Sequence, residues 1–245
     1  MICGMTDIRL ALMTGVDIPI PECQLTLHQP RIKEISMLGE KEFFTGAQCL
    51  CVNKNLYVKD ESVLDTTTNF QIFMMIMMDK QSTEKKIYTK TVLELLFPKA
   101  QLLFTPQSLI FQVDGQNIIV DDNNFNAFQD VLKQVFCVGS NASESFNPGN
   151  AAAKAIADKL MRARQRVAAQ KAAENQGSTL SQYLSILTVG LHSMSLSDLT
   201  DLTLYQLYDL VERYYLYVNW DLDARQRLAG AKPDSKPDNW MKSIH

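Results

Sequence analysis

One stretch constrains the chain more than any other: FNPGNAAAKAIADKLMRARQRVAAQKAAE, residues 146–174. Asn147-Pro148-Gly149-Asn150 is turn chemistry, and Asn150 is suited to cap a helix. The run that follows is rich in Ala, Lys, Arg and Gln, which favour helix strongly. Ile156, Leu160, Ala163 and Val167 recur at helical spacing and make a narrow apolar stripe. Lys154, Lys159, Arg162, Arg164, Arg166 and Lys171 outnumber Asp158 and Glu174, so six basic residues meet two acidic ones. The local charge is +4 in a chain whose total is −3. Such a run reads first as a solvated helix with one seam on a neighbour. The sharper reading is a docking surface for an acidic partner, protein or nucleic acid. The basic residues lie on several helix faces, which argues against insertion into a groove.

Before this stretch the pattern mixes strand and helix signals; after it the pattern is helical only. The sequence therefore implies an α+β fold: a mixed domain with β-hairpins and packed helices over residues 1–138, a linker at 139–149, and a helical domain at 150–245. Gly139 to Ser145 is small and polar, as a linker or surface loop should be. In the first region, Ile8–Thr14 reads as a strand ending at Gly15. Val16–Pro21 and Cys23–His28 alternate and form a hairpin, the prolines confining the first to an edge. Pro30 opens a helix to about Phe44, with a second short one at Cys49–Val52. Thr66, Thr67 and Thr68 offer caps for Phe70–Met78, a segment apolar nearly all round and hence buried. Its methionines fill core more readily than they form a binding groove. Ser82-Thr83-Glu84 opens a helix that Pro98 ends. Asp114-Gly115 between Leu109–Val113 and Gln116–Val120 is a type I′ hairpin signal, with Leu102–Thr105 as a third strand. Asp121 to Asn124 caps a helix carrying Phe125, Phe128, Val131, Leu132 and Val135; it lacks the glycine and terminal glutamate of a calcium loop.

In the second region, Leu180, Tyr183, Leu184, Leu187 and Leu191 share a helix face, and Leu196–Thr200 is one short turn. Thr203 and Gln206 fit a capping box that opens a helix to about Tyr217. Its Tyr205, Tyr208, Tyr214 and Tyr215 sit among leucines around much of the circumference. That distribution implies contacts on two sides, one within the bundle and one with the first domain or another chain. Asp221–Leu228 is a last helix, with Gly230 as its stop, and Trp240 on a polar tail tucks into a groove of its own domain or docks a partner.

Chemistry is harder to find. No G-x-S-x-G, HExxH or phosphate-loop pattern occurs, and no nucleophile stands beside a base at recognisable spacing. An enzyme, a cofactor and a metal are not expected. Five cysteines without a CxxC pair fit buried thiols in a reducing, intracellular setting. The pI of about 5.7 argues against a general nucleic-acid binder. The longest apolar run, Ile72–Met78, is too short to span a membrane, and the N-terminus lacks a targeting pattern.

Several stretches together resemble a family of tail-assembly proteins of tailed bacteriophages. They are Leu25–Ile35 with Gly39-Glu40, the FNPGNAAAKAIADKLMRARQ helix, Leu199–Asp209 (LTDLTLYQLYD), Leu228-Ala229-Gly230-Ala231 and Trp240. The likeness is scattered over most of the chain and carries no catalytic motif. It implies a non-enzymatic protein that binds other tail proteins in the host cytoplasm, as a chaperone of the tape-measure protein. Two alternatives follow: a baseplate or tail-tip subunit that stays in the virion, or a nucleic-acid-associated protein using the basic helix. Self-association is also compatible. The candidate partner-binding residues are Arg162, Arg164, Arg166, Tyr205, Tyr208, Tyr214, Tyr215 and Trp240.

Overall fold

A computed structural model describes residues 7–58, 61–138, 179–230 and 239–241. The fold is α+β, with two small antiparallel sheets in the first half and helices in the C-terminal portion.

The chain enters through α1 (Ile8–Thr14), a helix where the sequence implied a strand. Asp7 accepts hydrogen bonds from the backbone N–H of Arg9 and Leu10, and Gly15 closes the helix in the left-handed region. Leu, Ala and Met in this run are good helix formers, so cap and propensity outweigh its apolar strand-like look. β1 (Ile18–Ile20) and β2 (Leu25–Leu27) pair antiparallel around a 3₁₀ turn at Pro21–Cys23, as the alternation implied. Ile18, Ile20, Leu25 and Leu27 point inward, and Pro19 faces outward.

The helix expected over Pro30–Phe44 is two helices, α2 (Ile32–Leu38) and α3 (Glu40–Leu50). Gly39 separates them at φ 105° and ψ 135°, a conformation that ends α-helical propagation and strains any residue with a Cβ. Continuation of α3 to Leu50 takes in Cys49, so the separate helix expected at Cys49–Val52 does not form. Short helices α4 (Lys54–Tyr57) and α5 (Glu61–Leu64) lead to α6 (Asn69–Met78). The Thr68 hydroxyl accepts from the Gln71 N–H, and the Gln71 side chain accepts from the Thr68 N–H, closing a capping box. α7 (Thr83–Leu96) packs along α3 so closely that a Cβ on Gly46 would lie 2.7 Å from both the Tyr88 carbonyl oxygen and a Val92 methyl.

β3 (Gln101–Thr105), β4 (Ser108–Val113) and β5 (Gln116–Val120) form a meander. The β4–β5 turn has φ 49° at Asp114 and 80° at Gly115, which is the geometry that Asp-Gly implied. Before α8 (Phe125–Val135), the Asn124 side chain turns back to accept from the Asp121 N–H, rather than capping the helix. The C-terminal helices are α9 (Thr179–Gly190), α10 (Leu196–Thr200) and α11 (Leu204–Leu228). α11 is continuous where a stop near Tyr217 and a separate last helix were expected. Tyr217-Val218-Asn219-Trp220 contains no Gly or Pro to interrupt it. The basic stretch lies outside the described residues.

Aromatic side chains dominate the core. Phe73 stacks on Phe125 at 5.2 Å, and Phe97 meets Phe111 edge-on at 4.8 Å. Phe128 lies beside both Phe97 and Phe111. Buried Gln129 bridges two layers. Its amide donates to the carbonyls of Leu50 and Val52 and its oxygen accepts from Asn69. The same hydrophobic cluster continues into Leu180, Leu187, Leu199, Leu204 and Leu207.

Candidate interaction surface

α11 is held at its start by both side chain and backbone. Thr203 and Gln206 form the expected capping box, and Gln206 also donates to the Met13 carbonyl at 2.8 Å. Thr203 bridges to Arg31, while the Ile32 N–H donates to the Leu202 carbonyl at 2.9 Å. Lys33 reaches Asp201 at 2.5 Å, and this hydrogen bond holds the Asp201 carboxyl below the usual carboxylate range. Both partners are about half exposed, so the pair registers the segments and adds little stability. At the head of α9, Glu40 accepts from the N–H groups of Thr179 and Leu180, an acidic partner at a helix N-terminus.

The four candidate tyrosines separate along this helix. Tyr205 is buried, and Tyr208 is half-buried with its ring edge-on to Tyr183 at 5.8 Å. Burial pushes both phenols upward, with Asp209 adding for Tyr205 and Cys137 for Tyr208. Tyr205 belongs to the hydrophobic cluster and Tyr208 packs against it. Tyr214 is half-buried against Gly190, where a Cβ would overlap its ring. Tyr215 is 46% exposed. Trp240 packs within its own chain: its ring meets Tyr217 edge-on at 5.6 Å and Trp220 at 6.3 Å, while Arg213 donates to its carbonyl. Arg162, Arg164 and Arg166 lie outside the described residues.

Beyond Val211, no residue of α11 is buried. Tyr215, Tyr217, Leu222 and Leu228 are exposed there, and Trp220 is half-buried by its ring partners. The sequence reading missed Tyr217, Trp220, Leu222 and Leu228 because it ended the helix at Tyr217. The readable signal was the absence of any helix breaker before Gly230. On α6 the methionines divide similarly. Met74 and Met77 fill core, whereas Met75 is 66% and Met78 43% exposed.

Other sites offer less. A depression of about 300 Å³ is lined in part by Asp17, Gln24, His28 and Lys99. There His28 Nδ1 lies 3.0 Å from Asp17 and Nε2 3.5 Å from Glu34. Burial pushes the thiols of Cys23 up to about 11 and of Cys51 and Cys137 to about 12, and raises Cys49 as well. These thiols stay protonated near neutral pH, which makes them poor nucleophiles and poor metal ligands. No cluster of metal-binding side chains occurs among the described residues, and no described helix is long and apolar enough to cross a membrane.

Geometry thus gives an α+β protein whose most distinctive exposed feature is a helix with aromatic and aliphatic side chains in water. Residues 170–245 match the family model described as the YomV second domain, which spans α9, α10 and α11. That family is phage-derived, so the match suggests a phage protein without singling out tail assembly. No curated protein and no solved structure matches the chain.

Proposed function

We propose that this chain is a non-enzymatic tail-morphogenesis protein that binds other phage tail proteins in the host cytoplasm, as an assembly chaperone of the tape-measure protein. The observation that carries this reading is the far half of α11. It keeps Tyr215 and Leu222 in water on one side of a helix within a region similar to a phage-associated domain. The occupant we assign to that side is a long amphipathic helix, which would otherwise associate through its own apolar face before assembly. Tyrosine supplies a large contact area at low entropic cost, which suits it to such a helix-on-helix contact. The +4 stretch at 154–174 is the second contribution, through charge on acidic partners.

Quantitative mass spectrometry of infected-cell lysate and purified particles tests the reading. Abundance in lysate and absence from particles supports a chaperone. A fixed copy number per particle replaces it with a baseplate or tail-tip subunit. Replacing Tyr215 and Leu222 with Glu should weaken capture of the tape-measure protein by about tenfold or more, the range for truncating a central anchor. Reversal of charge at Arg162, Arg164 and Arg166 with unchanged capture removes the basic stretch from the binding surface.

A further inference from the structure

We propose that the other side of the same helix is a self-association surface, on which a second copy of this chain docks antiparallel about a two-fold axis passing Ala224. The inference stands independently of the tail-assembly reading.

At about 100° per residue, Tyr217, Trp220, Ala224 and Leu228 share one face of α11, and Tyr215 and Leu222 lie on the opposite one. Leu228 is 89% exposed, the most exposed large apolar side chain of the described residues. Ala224 at the centre allows two backbones to approach closely. Charges flank this face in a defined pattern. Asp221 and Arg225 lie along one flank, and Asp223 and Arg227 along the other. Within the chain each couple pairs at i,i+4, with N···O distances of 2.8 Å and 2.6 Å.

A two-fold axis perpendicular to the helix reverses chain direction and keeps each flank on its own side. Asp221 then lies beside Arg225 of the second copy, and Asp223 beside Arg227 of the second copy. Each couple is offset by two residues, about 3 Å along the axis. Every acidic group therefore keeps a basic neighbour and gains a second one. Arg225 and Asp223 also meet their own counterparts at the same offset, so each flank holds two attractive couples against one repulsive couple. A parallel pairing exchanges the flanks and sets Asp221 near Asp223 and Arg225 near Arg227. That gives two repulsive couples per flank against one attractive couple of Asp223 with Arg225, so charge favours the antiparallel arrangement. In the antiparallel arrangement, Leu228 of one copy comes against the aromatic cluster of Tyr217, Trp220 and Trp240 of the other. That cluster is already assembled, with rings 5.6 to 6.3 Å apart. The seam is only a few turns long, so it falls below the roughly 1,200 Å² of standard interfaces and should be a weak, reversible one.

Sedimentation equilibrium of the full chain, up to about 1 mM to cover weak dimers, is the test. A reversible monomer–dimer equilibrium that weakens with salt is expected. The pair Asp221→Arg with Asp223→Arg makes the segment all basic, and the pair Arg225→Asp with Arg227→Asp makes it all acidic. Each variant alone should be monomeric, and an equal mixture should form a one-to-one heterodimer. Recovery in the mixture separates lost docking from lost folding. Leu228→Glu, at an exposed helix end, should weaken the wild-type dimer by about tenfold or more. The proposal is overturned by a monomeric wild type at all concentrations, or by Leu228→Glu dimerising like the wild type. It is equally overturned by either charge variant dimerising unaided, or by a mixture of the two that stays monomeric.

Discussion

At the scale of single residues, Gln129 shows how a polar side chain becomes structural. Its amide satisfies the carbonyls of Leu50 and Val52 at the end of α3, where the helix leaves acceptors without partners. Gln129→Leu keeps the volume roughly and abandons both acceptors inside the protein. We expect it to lower unfolding free energy by about 2 kcal/mol or more, with the urea m-value unchanged. The thiols make a second residue-scale case, with a pH dependence of definite sign. Cys23, Cys51 and Cys137 are raised from a reference of 9.0 to about 11, 12 and 12, chiefly by burial. Below pH 9 both folded and unfolded chains hold these protons, so the contribution of the buried neutral thiols is fully present. As pH climbs from 9 toward 12 the unfolded chain ionises first, and stability falls. Thermal melts should therefore show a midpoint that declines above pH 9. Replacing Cys51 and Cys137 with Ala should flatten the decline, even though it lowers stability at neutral pH.

At the scale of elements, the contact between α3 and α7 depends on one missing side chain. Gly46 has the Tyr88 carbonyl and a Val92 methyl where its Cβ would be, and a backbone carbonyl cannot rotate aside. Gly46→Ala would normally favour a helix interior. Here it should instead cost about 1–3 kcal/mol by overpacking, measured by chemical denaturation. Gly39 acts differently: its backbone conformation, not its size, divides α2 from α3. In the sequence both are simply poor helix formers. Only the packing shows that one breaks the helix and the other admits a neighbour. Helix starts were far more legible. Thr68 with Gln71, and Thr203 with Gln206, could be read directly because a capping box is complete within four residues.

At the scale of the whole molecule, the hydrophobic cluster runs from Ile18 and Phe43 through Phe128 to Leu199, Leu204 and Leu207. The described C-terminal helices pack on one another, α9 against both α10 and α11, and on the first half through α1, α2 and α8. Leu207→Ala should therefore cost about 2–5 kcal/mol, the range for a buried leucine. Fluorescence of Trp220 and far-UV circular dichroism should lose their native signals at one shared, lowered denaturant midpoint. The candidate surface is set at this scale too. Four tyrosines on one helix are alike in sequence. Their roles diverge because α1, α8 and α9 pack along the first part of α11, while its far half meets the Trp240 segment.

By itself the sequence determined the α+β class, the two hairpin-like elements, the capped starts of α6 and α11, and the absence of a familiar catalytic motif. Each of these rests on residues within a few positions of one another, so local propensity and patterning suffice. The helix at Ile8–Thr14 and the run of α11 through Tyr217 also rest on local signals, a cap and the lack of a breaker, that the apolar pattern masked. Only the tertiary structure decided that Tyr205 is core and that Tyr208 packs against it. It also placed Trp240 on Tyr217 and Trp220. Those outcomes depend on which distant surfaces meet: burial removes apolar area from water only where a partner exists, and the identity of that partner is not a local property of the chain.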